Sequence, residues 1–301
     1  MTRHFIDVDD LSGEELDEVL DRGAEYKCER REGIAHPDLE RKTLGMLFEK
    51  PSTRTRVSFE TGMTQLGGHA VFLGSEDIQL GHGEPLKDTA RALSGYVDAL
   101  MARVFEHAHV EELARYATVP VVNGLTDDAH PCQTLADLLT VRETFDDLED
   151  VSVTWVGDAN NVARSFALGC ALAGIDLTVA TPPEYALDED VVERADSLGT
   201  APTVTEDPSE AVEGADVVYT DVWVSMGQEG ERDERLSAFE GFQVNGDLLA
   251  HAPDARVMHC LPAHRGEEIT DDAIEGERSL VFEQAENRLH AQKGLLSFLL
   301  A

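Results

Sequence analysis

Residues 43–66 read TLGMLFEKPSTRTRVSFETGMTQL, and the period of this stretch changes halfway along it. Thr43–Phe48 is an apolar run with the length of a buried strand, whereas Phe59, Met63 and Leu66 recur at the spacing of one helical face. Between them lies EKPSTRTR at 49–56. A strand that enters a helix through such a turn is the opening of an αβ unit. Free backbone N–H groups at the start of that helix favour an anion, and Ser52, Thr53 and Thr55 add hydroxyls while Arg54 and Arg56 add guanidinium groups. The ligand that suits these groups best is a phosphate. The simpler alternative has Ser52 or Thr53 capping the helix and both arginines paired with surface acid.

Outward from this stretch the same alternation continues. Further strands are expected at Ala70–Leu73, Ala99–Val104 and Val119–Asn123, then at Val151–Val156, Leu177–Ala180, Val217–Thr220 and Ala255–His259, with helical patterns between them. The fold class is therefore α/β, with two domains, each a parallel sheet flanked by helices. Ser12 and Glu15 form a capping box at the start of the first helix. The apolar stripe Leu135, Leu138, Leu139 and Val141 leads into the acidic linker Asp146–Asp150, which places a first domain at 1–148 and a second at 149–283. A last helical stretch, 284–301, ends in Leu295, Leu296, Phe298, Leu299 and Leu300 and needs a surface to cover it.

Composition narrows the classes of function. The chain has 301 residues, 42% of them hydrophobic, enough to bury two cores of ordinary size. No run of about eighteen apolar residues is present to span a bilayer. The opening MTRHFIDVDD lacks the apolar stretch of a signal peptide, so a cytoplasmic location is expected. Cys28, Cys132, Cys170 and Cys260 are scattered and read as reduced thiols. Sixty acidic residues against 24 basic ones give a net charge of −36. Such a surface repels nucleic acid and anionic membranes, and its even spread suggests adaptation to high salt, where screening removes most of the self-repulsion.

Other candidate groups also follow strands, where open α/β sheets bind their ligands. Arg103 follows the apolar stretch Ala99–Met101 at the C-terminal end of its strand; it is either a second anion anchor or the partner of Glu106. His130 and Gln133 follow 119–123, and His130 could polarise a carbonyl oxygen, take up a proton, or merely cap a helix. Cys132 should be buried and inert. GDANN at 157–161 occupies the place of a dinucleotide fingerprint but has one glycine where three are needed, which argues against NAD. Asn160 and Asn161 there offer amides to a polar ligand or a cap to the helix. Asp221, Ser225 and Met226 in DVWVSMG and Cys260 and Leu261 in HCLPAHRG complete the set. His259, Cys260 and His264 lack paired-ligand spacing, so no metal is expected.

Taken together, STRTR, HPCQ, DVWVSMG and HCLPAHRGEEI resemble the signature segments of the aspartate/ornithine carbamoyltransferase family, in the same order, and the last two resemble its ornithine branch. The resemblance covers essentially the whole chain. It implies a carbamoyl phosphate-binding first domain, an amino-acid-binding second domain and a last helix that packs back on the first. On that likeness Ser52, Thr53, Arg54, Thr55, Arg103 and Arg288 hold phosphate. His130, Gln133, Cys260 and Leu261 lie at the carbamoyl group, and Gln79 of the DIQLG segment at 77–81 reaches a neighbouring subunit's site. Asn161, Asp221, Ser225 and Met226 hold ornithine, and a Leu261–Pro262 cis bond is expected. The catalytic set is Arg54, Arg103, His130, Asp221 and Cys260. The partners implied are carbamoyl phosphate and L-ornithine in a homotrimer or an assembly of trimers, with no cofactor. A carbamoyltransferase for another amine such as putrescine, or a non-catalytic small-molecule-binding relative, is the alternative.

Overall fold

The computed structural model describes residues 2–74 and 84–301. Gln79 and the rest of 77–81 lie outside the described residues. The chain divides into two compact units, Met1–Leu139 with Asn287–Ala301, and Thr140–Glu286. Both cuts fall inside helices, Pro131–Phe145 and Val281–Leu300. The α/β class is as expected. Among the described residues, no helix is long and apolar enough to cross a membrane.

The first unit holds four parallel strands, β1 (Thr43–Phe48), β2 (His69–Gly74), β3 (Ala99–Arg103) and β4 (Val121–Leu125), in the order β2-β1-β3-β4. The second holds five, β5 (Ser152–Val156), β6 (Asp176–Ala180), β7 (Thr203–Thr205), β8 (Val217–Thr220) and β9 (Arg256–His259), in the order β7-β6-β5-β8-β9. β1 matches the sequence expectation residue for residue. β4 begins two residues later than expected, since Pro120 has no N–H to donate to a ladder and joins only through its carbonyl, which accepts from Leu100 N. β7 went unread because it is a three-residue, largely exposed edge strand.

Central strands are apolar on both faces, as helices on both sides require. Leu47, Leu100, Ala102, Val110, Leu113 and Val121 form one buried cluster of the first unit, and Val156, Val218, Trp223, Phe239, Val257 and Ile269 belong to that of the second. The expected capping box is present: Ser12 Oγ accepts from Glu15 N, and Ser12 N donates to Glu15 Oε2.

The residues 287–300 of the final helix lie against the first helix of the same unit, Gly13–Glu32. Gly294 permits the approach, because a Cβ there would come within 2.2 Å of the Val19 carbonyl oxygen. This contact buries polar groups as well as the apolar tail. Lys27 Nζ donates to Asn287 Oδ1 at 2.7 Å, and Lys293 Nζ donates to Gln65 Oε1 at 3.1 Å and approaches His36 Nε2 at 3.0 Å. Burial, aided by Lys293 and Lys27, pushes the His290 imidazole down to about 3.

A group with a lowered pKa in the folded state binds its proton mainly on unfolding. The contribution of neutral His290 to stability is therefore complete above about pH 6.5 and is lost as pH falls toward 3. Between pH 7 and 4.5 the loss from this residue should be about 2–3 kcal/mol. Denaturant unfolding at fixed molar salt should give a smaller pH dependence for His290→Gln; equal dependence in both proteins would disprove the assignment.

Candidate active site

In the first unit the groups picked out by sequence gather at the carboxyl ends of β1, β3 and β4, beside the place where the strand order reverses between β1 and β3. Ser52 is the N-cap of the helix Thr53–Gln65, its hydroxyl accepting from Thr55 N at 3.2 Å. Ser52 thus does cap the helix, as the simpler alternative held. Of the two arginines only Arg56 follows that alternative, paired with Glu60 at 3.0 Å and lying over the Phe72 ring. Arg54, half-buried, has no hydrogen bond or ion pair with another described residue. Lys50 is buried, bonded to Asp127 and seated over Phe105, which removes it from the anion site.

Thr55 is the focus. Its Oγ1 accepts from Arg288 Nη2 at 3.1 Å and from Arg103 Nη1 at 3.4 Å, and all three side chains are buried. Arg288 Nη1 also reaches Gln133 Oε1 at 2.5 Å and His130 Nε2 at 3.4 Å, while Gln133 Nε2 donates to Asp137 Oδ1 at 2.7 Å. Two guanidinium groups are thus held side by side at a helix N-terminus that already favours negative charge.

His130 sits at the start of the helix Pro131–Phe145, where its carbonyl accepts from Gln133 N. Burial, then Arg288, Arg103 and Arg54, hold its pKa well below the ordinary histidine value. The imidazole is neutral at neutral pH. Arginine can only donate, so the nitrogen facing Arg288 accepts and the ring proton lies on Nδ1. Of the roles open from sequence, polarising an oxygen is favoured over taking up a proton, since a base so depressed holds a proton poorly. Cys132 is fully buried, its thiol pushed up to about 12 by burial, as befits an inert core residue.

In the second unit the corresponding place is the reversal between β5 and β8. Gly157 opens the turn after β5 with φ +129, and a side chain there would also crowd Trp223 Nε1 at 3.2 Å. Asn160 caps the helix Asn161–Ala173, its Oδ1 accepting from Val162 N at 2.9 Å, while its Nδ2 donates to Asp221 Oδ2 at 2.8 Å. The other carboxylate oxygen, Asp221 Oδ1, accepts from Cys260 Sγ at 3.0 Å. Asp221 is therefore fixed from both sides. Asn161 and Ser225 are partly exposed near this group in sequence and on the same strand ends, whereas the Met226 side chain is 51% exposed and only its backbone belongs to the turn.

Leu261 has φ +59, unusual for a branched side chain, and precedes the cis bond to Pro262; its N–H donates to His259 Nδ1 at 2.8 Å. A residue that sequence reasoning passed over is Arg235. Its Nη1 donates to Asp158 Oδ2 at 2.9 Å and to the Trp223 carbonyl at 3.0 Å, tying the 157–160 turn to the loop that carries Ser225. Partners so far apart in the chain leave no local signal.

Residues 3–143 match the carbamoyl-P binding domain of the aspartate/ornithine carbamoyltransferase family, and residues 149–299 match its Asp/Orn binding domain. The chain belongs to this family. Among carbamoyltransferases of the family, an ornithine carbamoyltransferase of Haloquadratum walsbyi is 62% identical over 298 residues, 99% of this chain and 98% of that protein. Another, from Archaeoglobus fulgidus, is 54% identical over 299 residues, 99% and 97% of the two chains. The solved ornithine carbamoyltransferase of Pyrococcus furiosus superposes with a TM-score of 0.95 at 51% identity, covering 99% of this chain and 97% of that one.

Proposed function

We propose that the protein transfers the carbamoyl group of carbamoyl phosphate to the δ-amine of L-ornithine, giving L-citrulline and phosphate in a reversible reaction. The observation that carries this reading is the convergence of Arg103 and Arg288 on Thr55 at the N-terminus of the helix Thr53–Gln65. In a chain of net charge −36, this is a site built for an anion. The family match and the named relatives support the same reading.

In the proposed reaction Ser52, Thr53, Arg54, Thr55, Arg103 and Arg288 hold the phosphate, and His130, Gln133, Cys260 and the Leu261 carbonyl lie at the carbamoyl group. Asn161, Asp221, Ser225 and the Met226 backbone hold ornithine. The neutral δ-amine attacks the carbamoyl carbon, forming the C–N bond, and the carbonyl π electrons pass to oxygen. Arg54, Thr55 and neutral His130 stabilise that oxyanion. Collapse breaks the C–O bond to phosphate, whose growing charge is offset by the arginines and which can accept the proton leaving the amine. The residues therefore need supply no separate base. Holding both substrates makes the attack effectively unimolecular.

We further assign the first domain to 1–148 with 284–301, the second to 149–283, a cytoplasmic location, a halophilic surface, and a homotrimer or assembly of trimers to which Gln79 contributes across an interface. Citrulline formation should exceed carbamoyl-putrescine formation by at least about 10³-fold in kcat/KM, because putrescine leaves the amide and backbone donors meant for a carboxylate unpaired. A steady-state assay with both amines at molar salt checks the substrate. Comparable rates would point to the broader amine reading. Solution mass checks the assembly, and a monomer that is fully active would refute the shared site.

A further inference from the structure

A second constellation of the Thr140–Glu286 unit takes no part in the proposed reaction. One ring nitrogen of His264 and one carboxylate oxygen each of Glu267 and Glu268 lie within 4.8 Å of one another. The backbone brings them together in one turn, closed by Glu267 N donating to the His264 carbonyl at 2.8 Å. His264 Nδ1, Glu267 Oε2 and Glu268 Oε2 are each shielded from solvent and have no hydrogen-bond partner among the described residues, the first two lying 3.8 Å apart, too far for a hydrogen bond. Glu268 is 0% exposed. A buried carboxylate oxygen without a donor is costly, and two of them beside a ring nitrogen are costlier still unless a cation joins them.

The remaining atoms of these side chains are already committed. Glu267 Oε1 is paired with Arg232 Nη2, and Glu268 Oε1 accepts from His264 N at 2.6 Å and faces His259 Nε2 at 3.0 Å. Each carboxylate so has one oxygen anchored and the other without a hydrogen bond. Outer partners that orient inner ligands in this way are characteristic of metal sites.

We propose that His264, Glu267 and Glu268 bind one divalent transition-metal ion. One imidazole nitrogen with two carboxylate oxygens suits zinc, cobalt or manganese better than magnesium or calcium, which favour oxygen alone. Two carboxylates neutralise a dication. Metal–ligand bonds near 2.1 Å require the three atoms to draw in to roughly 3–3.5 Å apart, and His264, whose side chain is 40% exposed, can swing to do so and leaves an entry path. Because Glu268 also holds His259, whose Nδ1 accepts from Leu261 N, an ion here would brace the turn that carries Cys260. Asp221, His259 and Cys260 also cluster, but there Asp221 and Cys260 are already bonded to each other. The proposal does not depend on the reaction assigned above.

The test uses the full chain, stripped with a chelator and kept in molar NaCl with excess Mg²⁺ to occupy the acidic surface. Co²⁺ should bind at one equivalent with visible d–d absorption and no sulfur-to-cobalt band, and Zn²⁺ should displace it and raise the melting temperature. His264→Ala and Glu267→Gln should each weaken binding at least about tenfold and abolish the thermal shift, whereas Cys260→Ser should change neither. Glu268 is left intact because it also supports His259. Substoichiometric binding, binding unaffected in both variants, or a sulfur-to-cobalt band that Cys260→Ser removes would overturn the proposal.

Discussion

Replacing Arg54 by alanine is expected to lower kcat for citrulline formation by roughly 10³-fold, because in the proposed reaction it is both an oxyanion donor and a charge beside the leaving group. The fold should survive, because Arg54 is half-buried and has no hydrogen bond or ion pair with another described residue. Arg54→Lys should recover only part of the loss, since an ammonium lacks the planar fork. Far-ultraviolet circular dichroism and unfolding midpoints would verify the fold beside a steady-state assay in both directions. A kcat within tenfold of the parent, in folded protein, would remove Arg54 from the chemistry and weaken the case against a non-catalytic relative.

Arg235→Ala should cost about 3–5 kcal/mol of stability, since it breaks a buried pair and leaves one charge behind. The side chains of Arg235 and Asp158 are 9% and 8% exposed, so water cannot replace the lost partner. Burial pushes the Asp158 carboxyl up to about 6 even with Arg235 opposing the shift. Without Arg235 it should rise further. The variant's deficit should therefore be largest near pH 8, where Asp158 must be ionised, and smaller near pH 5, where a proton neutralises it. Asp158→Asn with Arg235→Met should regain much of the stability, because no charge is stranded. A deficit that does not change with pH would mean that Arg235 acts through its bonds to Trp223 and Glu231 alone.

The frame of the protein was legible because its signals are local. β1 is an unbroken apolar run, the helix after it has a hydroxyl cap, and the phosphate-suited turn lies between them in ten residues of chain. The same locality gave the strand-end positions of Arg103, His130, Asp221 and Cys260. What sequence could not supply were choices that depend on distant partners. Arg54 and Arg56 are equivalent on paper, yet Glu60 and Phe72 claim Arg56. Asn160 and Asn161 are adjacent amides, yet only the first both caps a helix and grips Asp221. Lys27, His290 and Lys293 would be placed on the surface by residue type, whereas the structure buries them where the first and final helices meet. Glu267 and Glu268 read as two more acids in an acidic chain until folding turned their oxygens inward.

The discontinuity of the first unit bears on how the protein is made. Thr140–Glu286 is a single stretch and can condense as soon as it leaves the ribosome, but the earlier-synthesised unit also needs Asn287–Ala301, which is translated after the whole of the second unit. Arg288 and Lys293 arrive with that segment. A chain that stops short of residue 288 consequently carries Thr55 and Arg103 without their companion guanidinium, so the cluster proposed to hold phosphate is assembled only after the second unit has been translated.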